Sequence, residues 1–197
     1  MNCMSKTAGD PERAVNGMLS VVQLLEEPRL ARLYTFVLRE EEVTIDDIVA
    51  ELEIPRTTAY SDAGTLVELG VLTRDEEQKT HTYSAIPITL TANLDGDEYT
   101  ITPTLIEAFG RSSRDQDLDP LIERHGLEKL AAALTYAIPY AEGEMSERVA
   151  ARELDFQHAF TIAVLQALRD VVLDMKTVDP YFDEIRNARE QPATIED

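Results

Sequence analysis

Most of the chain carries apolar residues at helical spacing, and one central stretch alternates instead. Leu30, Leu33 and Val37 fall at i, i+3 and i+7, which predicts a helix over 29–38 after an earlier helix over 18–25. Between residues 71 and 101, apolar and polar positions alternate around polar turns, which predicts two successive β-hairpins. The remaining predicted helices lie near 103–109, 118–125, 127–138 (broken by Pro139 and Gly143), 145–154 and 158–175.

Two short helices and a tight turn precede the first hairpin. Thr44 begins a Thr-x-x-acid pattern that is typical of a helix start, and this helix is expected to end near Leu52. Pro55 suits the first turn of the next helix because its missing N–H would have no intrahelical partner there, and Gly70 is expected to end that helix. Two helices joined by a three-residue turn and followed by a hairpin are typical of a helix-turn-helix with a wing.

The segment over 44–85 resembles the winged helix-turn-helix domain of archaeal transcription regulators of the ArsR and TrmB type. The resemblance depends on Ile54-Pro55 in the turn, on Thr57-Thr58-Ala59-Tyr60 at the opening of the second helix, and on Leu66, Gly70 and Leu72 before the hairpin. It implies that the helix over about 55–69 enters the major groove of double-stranded DNA. It implies no function for the C-terminal half.

The side chains of this second helix divide into two faces. If Ala59, Ala63 and Leu66 face the core, then residues 57, 60, 61 and 64 share the opposite face. That face carries hydrogen-bonding side chains and a glycine that allows close approach of the backbone, and an arginine lies beside them. The predicted DNA-contacting residues, three of them in the hairpin, are Arg56, Thr57, Thr58, Tyr60, Ser61, Gly64, Arg74, Lys79 and His81.

The chain is strongly acidic, with 38 Asp and Glu residues against 18 Lys and Arg residues and a formal net charge of −20. Two stretches interrupt this background, because residues 54–61 and 78–94 contain no acid. DNA contact would explain both gaps, and chance is the alternative explanation. Residues 130–141 are also free of acids, and core burial explains that stretch. Asp75-Glu76-Glu77 at the hairpin tip departs from the family pattern because phosphates repel acids.

The acidic residues are spread along the whole chain, so they form no interaction tail. Arg outnumbers Lys by 14 to 4. Such a composition suggests a cytoplasm at very high salt, where charges are screened within about 3 Å at 1 M. The source is therefore predicted to be a halophilic archaeon, with an ordinary acidic protein of a mesophile as the alternative. DNA binding at such salt would depend on base-edge contacts and shape rather than on counterion release.

The sequence indicates neither export nor membrane insertion. The first 17 residues lack the apolar core of a signal peptide, and Cys3 is the only cysteine, so no intrachain disulfide is expected. The most apolar stretch, residues 158–175, carries too many polar groups for a membrane span. Twelve of its 18 residues are apolar, which predicts burial on most sides and packing against a second subunit. We therefore expect a cytoplasmic homodimer held by the C-terminal helices.

No catalytic, cofactor or metal site is expected. The sequence has no glycine-rich phosphate loop, nucleophile motif or dinucleotide fingerprint. Asp115, Asp117 and Asp119 resemble the start of a calcium loop, but its turn glycine and final acid are missing, so a helix-capping linker is expected. The three histidines fall on different elements without ligand spacing. Four aromatic residues could line a small-molecule pocket, although core packing explains them better: Tyr136, Tyr140, Phe156 and Phe160.

Together these patterns predict an α+β, predominantly helical chain. Residues 17–112 would form a winged helix-turn-helix domain with an additional β-hairpin, residues 113–180 a helical dimerisation region, and residues 1–16 and 181–197 flexible termini. The predicted function is that of a homodimeric, sequence-specific DNA-binding transcription regulator, not an enzyme. The alternatives are a winged-helix protein-interaction module without DNA binding, and a regulator whose helical half senses a small ligand.

Overall fold

The computed structural model describes residues 11–75, 80–94 and 97–190. Helices make up most of this part of the chain and two small antiparallel sheets lie near its middle, so the α+β, predominantly helical class is confirmed. The helices are α1 (Pro11–Glu26), α2 (Pro28–Glu40), α3 (Ile45–Leu52), α4 (Arg56–Glu68), α5 (Pro103–Ser112), α6 (Asp119–Ala141), α7 (Glu147–Leu154), α8 (His158–Met175) and α9 (Tyr181–Glu190). The strands are β1 (Val43–Thr44), β2 (Leu72–Asp75), β3 (Thr82–Ala85), β4 (Leu90–Leu94) and β5 (Asp97–Ile101).

The helix-turn-helix consists of α3 and α4, and local capping sets its boundaries. The Thr44 hydroxyl accepts a hydrogen bond from the Asp47 N–H, and the Asp47 carboxylate accepts one from the Thr44 N–H at 2.8 Å. The predicted helix start is therefore confirmed. α3 ends at Leu52 because Glu53 adopts a left-handed conformation with a φ of 56°. α4 ends just before Gly70, which takes a φ of 71° that suits glycine.

A three-stranded antiparallel sheet forms the base of the wing. β3 is its central strand, with β1 on one edge and β2 on the other. Within the first hairpin β2 pairs with β3, as the sequence predicts, and Arg74 lies opposite Tyr83. The sequence does not predict β1, because a strand of two residues is too short to show alternation. β4 and β5 form the second predicted hairpin, and its predicted turn at Asp95-Gly96 lies outside the described residues.

Tyr34 joins α2 to the chain between the two hairpins. Its side chain is fully buried, and its hydroxyl donates to the Ile86 carbonyl at 3.0 Å and accepts from the Ile88 N–H at 3.0 Å. Burial raises the pKa of the Tyr34 phenol above its usual value, because a phenolate in this position would lose its hydration. The folded state therefore favours the neutral form of Tyr34.

We expect the folding stability to decrease above about pH 10, and Tyr34→Phe to remove that part of the pH dependence. A tyrosine in the unfolded chain has a pKa of about 10 and the folded pKa is higher, so ionisation above this pH favours unfolding. The slope from this one group would approach about 1.4 kcal/mol per pH unit. Urea unfolding of both proteins from neutral to alkaline pH measures it.

At neutral pH the Tyr34→Phe variant should be less stable by about 1–3 kcal/mol, because the Ile86 carbonyl and the Ile88 N–H, which are partly buried, lose their partner. Stability curves that run parallel for the two proteins throughout the alkaline range would contradict the role of Tyr34.

α5 connects the two halves of the described chain, because it packs against α2 on one side and against α6 and α8 on the other. Nearly all of its residues are buried, including the acid Glu107. The Glu107 carboxylate accepts hydrogen bonds from the Thr35 hydroxyl, from Arg39 at 3.2 Å and from Arg111 at 2.6 Å. Two arginines thus compensate one buried acid where α2 and α5 meet.

The helical half follows the predicted pattern except at Pro139. α6 changes direction at Gly126, whose φ is 79°, so it consists of the two predicted helices in succession. The prediction that Pro139 ends the second of them is wrong, because the helix continues to Ala141. Pro139 removes one intrahelical hydrogen bond, and only two helical residues follow it. The predicted break at Gly143 is confirmed, because the chain leaves the helix there with a φ of 77°.

The termini are more helical than the sequence indicates. α1 begins at Pro11, so part of the expected flexible segment 1–16 is helical. α9 occupies the first part of the expected flexible segment 181–197, and that expectation is wrong for its residues. Phe182 of α9 is buried in the core. This burial of one apolar side chain stabilises a helix whose sequence is otherwise mostly polar.

α8 buries its apolar face within its own chain. Val164, Leu168, Val171 and Met175 are buried, and α5, α6 and α7 are its neighbours. The prediction of burial on most sides is wrong, because seven of the 18 residues are buried and seven are exposed. The buried side chains are covered by the same chain, so α8 by itself gives no argument for a second subunit. Every helix among the described residues is too short or too polar to span a lipid bilayer.

Candidate nucleic-acid interface

The inward face of α4 packs on the core as predicted. Ala59, Ala63 and Leu66 are fully buried. Asp62 is also buried, and Arg29 of α2 donates to both of its carboxylate oxygens, at 2.6 and 3.3 Å. Sequence reasoning missed this pair because helical spacing gives no signal for partners on different helices. The pair orients α4 on α2 and removes an acid from the outer surface of α4.

The outward face of α4 carries most of the predicted DNA-contacting residues. Thr57 and Ser61 are exposed, Tyr60 is 53 % exposed although it is aromatic, and Thr58 is half-buried. A Cβ added at Gly64 would meet no atom within 4 Å, so the helix surface is open at that position. These residues therefore share one accessible surface. Their contact with DNA stays a prediction.

Arg56 begins α4 and forms an ion pair with Asp46 in the first turn of α3. The two side chains are 54 % and 73 % exposed. Exposed ion pairs contribute only about 0–1 kcal/mol to stability. A phosphate or a base edge could therefore replace Asp46 as the partner of Arg56 at little cost to the fold.

The base of the wing brings two further predicted residues to the surface. Arg74 lies on β2 and His81 directly precedes β3, and both side chains are exposed. Lys79 lies outside the described residues, as does Glu76-Glu77 of the acidic tip. Asp75, at the end of β2, is exposed. Basic and acidic side chains thus lie side by side where the hairpin leaves the sheet.

The outer surface of α3 is acidic. Asp46, Asp47 and Glu51 are all exposed. Hydrogen bonds from the hydroxyl and the N–H of Thr44 lower the pKa of Asp47, because they stabilise the carboxylate. Phosphates would meet repulsion along α3. The face of α4 and the base of the wing are therefore the surfaces whose chemistry suits a nucleic acid.

A helix-turn-helix whose second helix presents an exposed polar face, followed by a β-hairpin, defines a winged helix-turn-helix domain. Residues 30–89 match the family model described as the sugar-specific transcriptional regulator TrmB. This match covers most of α2, the helix-turn-helix and the first hairpin. It confirms the TrmB part of the resemblance and supports a winged-helix transcription regulator rather than an enzyme. The ArsR part of the resemblance stays a prediction.

The helical half has a match of its own. Residues 112–177 match a family of unknown function, DUF7437. This second match runs from the end of α5 through α8, so it adds no activity to the helical half. No curated protein and no solved structure matches the chain.

Proposed function

We propose that this chain is a sequence-specific DNA-binding transcription regulator whose helix α4 enters the major groove of double-stranded DNA. The observation that carries the proposal is the outer face of α4, where Arg56, Thr57, Tyr60 and Ser61 are exposed. Within α4, which the structure describes in full, Glu68 at the end is the one exposed acid. A major groove admits an α-helix, and base edges offer donors and acceptors to such side chains.

The overall charge shapes how this surface would bind. A net charge of −20 opposes long-range attraction to DNA. We propose that base-edge contacts and groove shape supply most of the affinity, and that Arg74, Lys79 and His81 add local contacts from the wing. The proposed setting is a haloarchaeal cytoplasm, because high salt screens the repulsion between the acidic chain and the phosphates.

We also propose a homodimer that places two α4 helices on a pseudo-palindromic site. Met18, Leu19 and Val22 of α1 are each more than half exposed, which leaves an apolar surface on that helix. On the same helix, the Ser20 hydroxyl donates to the Leu69 carbonyl at the end of α4, at 2.9 Å. Dimer packing through α1 would therefore set the distance between the two recognition helices. We propose α1 for this role in place of the C-terminal helices, because Leu173 is the one large apolar side chain that α8 leaves exposed, whereas α1 exposes three.

The double substitution Leu19→Glu with Val22→Glu is expected to convert the dimer into a folded monomer. Two carboxylates on the α1 surface would be costly to bury against a second subunit but are harmless in water. Light scattering after size-exclusion chromatography measures the mass. The matched control is Leu173→Glu, an exposed apolar residue of α8. A monomer from the control and a dimer from the double variant would place the interface on α8 instead.

The proposed function is tested by selecting duplexes from a randomised library with the full chain, and by genome-wide immunoprecipitation of the tagged protein. Enrichment of one sequence class, with two half-sites about 10 base pairs or a multiple of that apart, is the expected result. Recovery of duplexes without any common sequence, together with no discrete genomic sites, would reject it.

A protein-interaction module without DNA binding is the second candidate. The exposed acids of α3 and the exposed Asp75 at the wing favour it, because they repel phosphates and suit a basic protein surface. This candidate requires that a protein partner co-purifies with the chain while no duplex is retained. The same selection experiment therefore decides between the two candidates.

A further inference from the structure

Four arginines line one cavity between α2, α3 and α5, in a chain that has about two acids for every base. The cavity has a volume of about 280 Å³. Arg32 and Arg39 come from α2, Arg111 from α5, and Arg114 from the turn that follows α5. Arginines so close together repel one another unless acids lie beside them, and three of the four form ion pairs with acids of the fold.

Two of the arginines are neutralised by acids of the fold. Arg39 and Arg111 form ion pairs with the buried Glu107, and Arg111 also pairs with Asp174 of α8. Burial alone would lower the pKa of Arg111, but the charges of Glu107 and Asp174 outweigh that effect and raise it. These groups hold α2, α5 and α8 together. Their charges are therefore satisfied without any ligand.

Asp115, a further acid at the cavity, forms hydrogen bonds with backbone N–H groups. One carboxylate oxygen of Asp115 accepts hydrogen bonds from the N–H groups of Asp117 at 2.8 Å and Leu118 at 3.0 Å. Asp115 thus caps the turn before α6, as the helix-capping interpretation of the sequence predicts. Glu51, the last acid of the lining, is exposed at the rim.

Arg32 differs from its neighbours. Its side chain is half-buried, and no described residue forms a hydrogen bond or an ion pair with its guanidinium. Burial, and next the positive charge of Arg114, lower the pKa of Arg32, while the surrounding acids attract it only without direct contact. A partly desolvated guanidinium beside a second one costs free energy, and an anion in the cavity would recover it.

Packing holds Arg32 at the cavity. A Cβ added to Gly110 of α5 would approach both the Cγ and the backbone N of Arg32 to 2.9 Å. Only glycine therefore lets α5 come this close to α2. This tight contact between the two helices therefore places the base of the Arg32 side chain, as far as Cγ, at the junction of α2 and α5.

We propose that this cavity, named here the arginine pocket (Arg32, Phe36, Arg39, Leu52, Arg111 and Arg114), binds a small molecule that carries a phosphate or carboxylate group. Arg32 and Arg114 are its direct partners, because guanidinium groups bind both oxyanions through paired N–H donors. The volume lies near the lower end of the range for ligand pockets, which suits a small anion. This site is separate from the α4 surface and does not depend on DNA binding.

The arginine pocket also lies against the helix-turn-helix. Arg114 donates to the Leu52 carbonyl at 2.8 Å and lies 3.5 Å from the exposed Glu53. Leu52 ends α3 and Glu53 begins the turn that leads to α4. An anion bound to Arg114 would compete with the Leu52 carbonyl and Glu53 for its guanidinium. Anion binding in the pocket could in this way change the turn that positions α4.

Isothermal titration of the full chain with sodium phosphate, and separately with sodium succinate, at constant ionic strength tests the proposal. We expect saturable binding of at least one probe, with an affinity at least about tenfold lower in Arg32→Gln, because one charge-assisted contact is lost. The matched control is Arg186→Gln, an exposed arginine of α9 that pairs with Asp183, and its affinity should not change. Tighter phosphate binding indicates a phosphate ester as the ligand, and tighter succinate binding a carboxylate.

Arg32→Gln should fold normally, because the Arg32 guanidinium forms no hydrogen bond or ion pair with another described side chain. If this variant does not fold, Arg114→Gln replaces it and is expected to show the same loss of affinity. The proposal is overturned if neither probe binds saturably, if wild type and the Arg32 or Arg114 variant bind equally, or if sodium chloride alone gives the same response. All of these measurements omit DNA, so their failure is distinguishable from a failure of the proposed DNA binding.

Discussion

Replacing Arg56 and Tyr60 together by alanine is expected to abolish sequence-specific DNA binding and to leave the fold intact. Both side chains lie on the exposed face of α4, and the one ion pair that Arg56 forms among the described residues is with the exposed Asp46. Each good side-chain contact to a base edge contributes about 1–3 kcal/mol of discrimination, so either single substitution should weaken binding by about ten- to a hundredfold. Fluorescence anisotropy with a duplex selected by the wild type measures the affinity, and circular dichroism confirms the fold.

Two further variants make this result specific to α4. Arg186→Ala removes a positive charge from an exposed pair on α9 and should leave the affinity unchanged. Asp46→Asn should strengthen binding by about tenfold or less, because it frees Arg56 and removes one repulsive charge near the phosphates. Unchanged affinity in the double alanine variant, or weaker binding by Asp46→Asn, would contradict the assignment of this face to DNA.

Glu107→Ala is expected to cause a loss of about 3 kcal/mol in the free energy of unfolding, because it leaves two arginines without their buried counter-charge. Glu107 is 2 % exposed and is the acid that joins Thr35, Arg39 and Arg111 across the contact between α2 and α5. Glu107→Gln keeps one acceptor oxygen and should lose less. Urea unfolding followed by circular dichroism measures both variants.

The control for Glu107 is Asp183→Ala, which breaks an ion pair that is exposed on α9. Its effect should stay within about 0.5 kcal/mol, since exposed pairs contribute little. A loss of stability in Glu107→Ala no larger than in this control would show that the two arginines find other partners, and that Glu107 does not hold α5 on α2.

The helix-turn-helix could be predicted because its signals lie within a few residues of one another. These signals act over one or two turns of helix: the capping pair Thr44 and Asp47, the left-handed Gly70, and the spacing of the α4 core residues. The sequence does not show that the helix continues past Pro139, because a proline weakens a helix without always ending it. α9 was missed because its stability depends on the burial of Phe182 in a core formed by distant segments.

The α+β class, the approximate boundaries of the helix-turn-helix and the two faces of α4 could be inferred from the amino-acid sequence alone, because capping and periodicity depend on near neighbours. Long-range packing determines three further features: Arg29 neutralises Asp62 beneath α4, α1 leaves three apolar side chains more than half exposed, and four arginines meet in one cavity. These three features depend on how helices far apart in the chain pack together. Helix packing is set by the shape and volume of many side chains at once, and no local pattern records it.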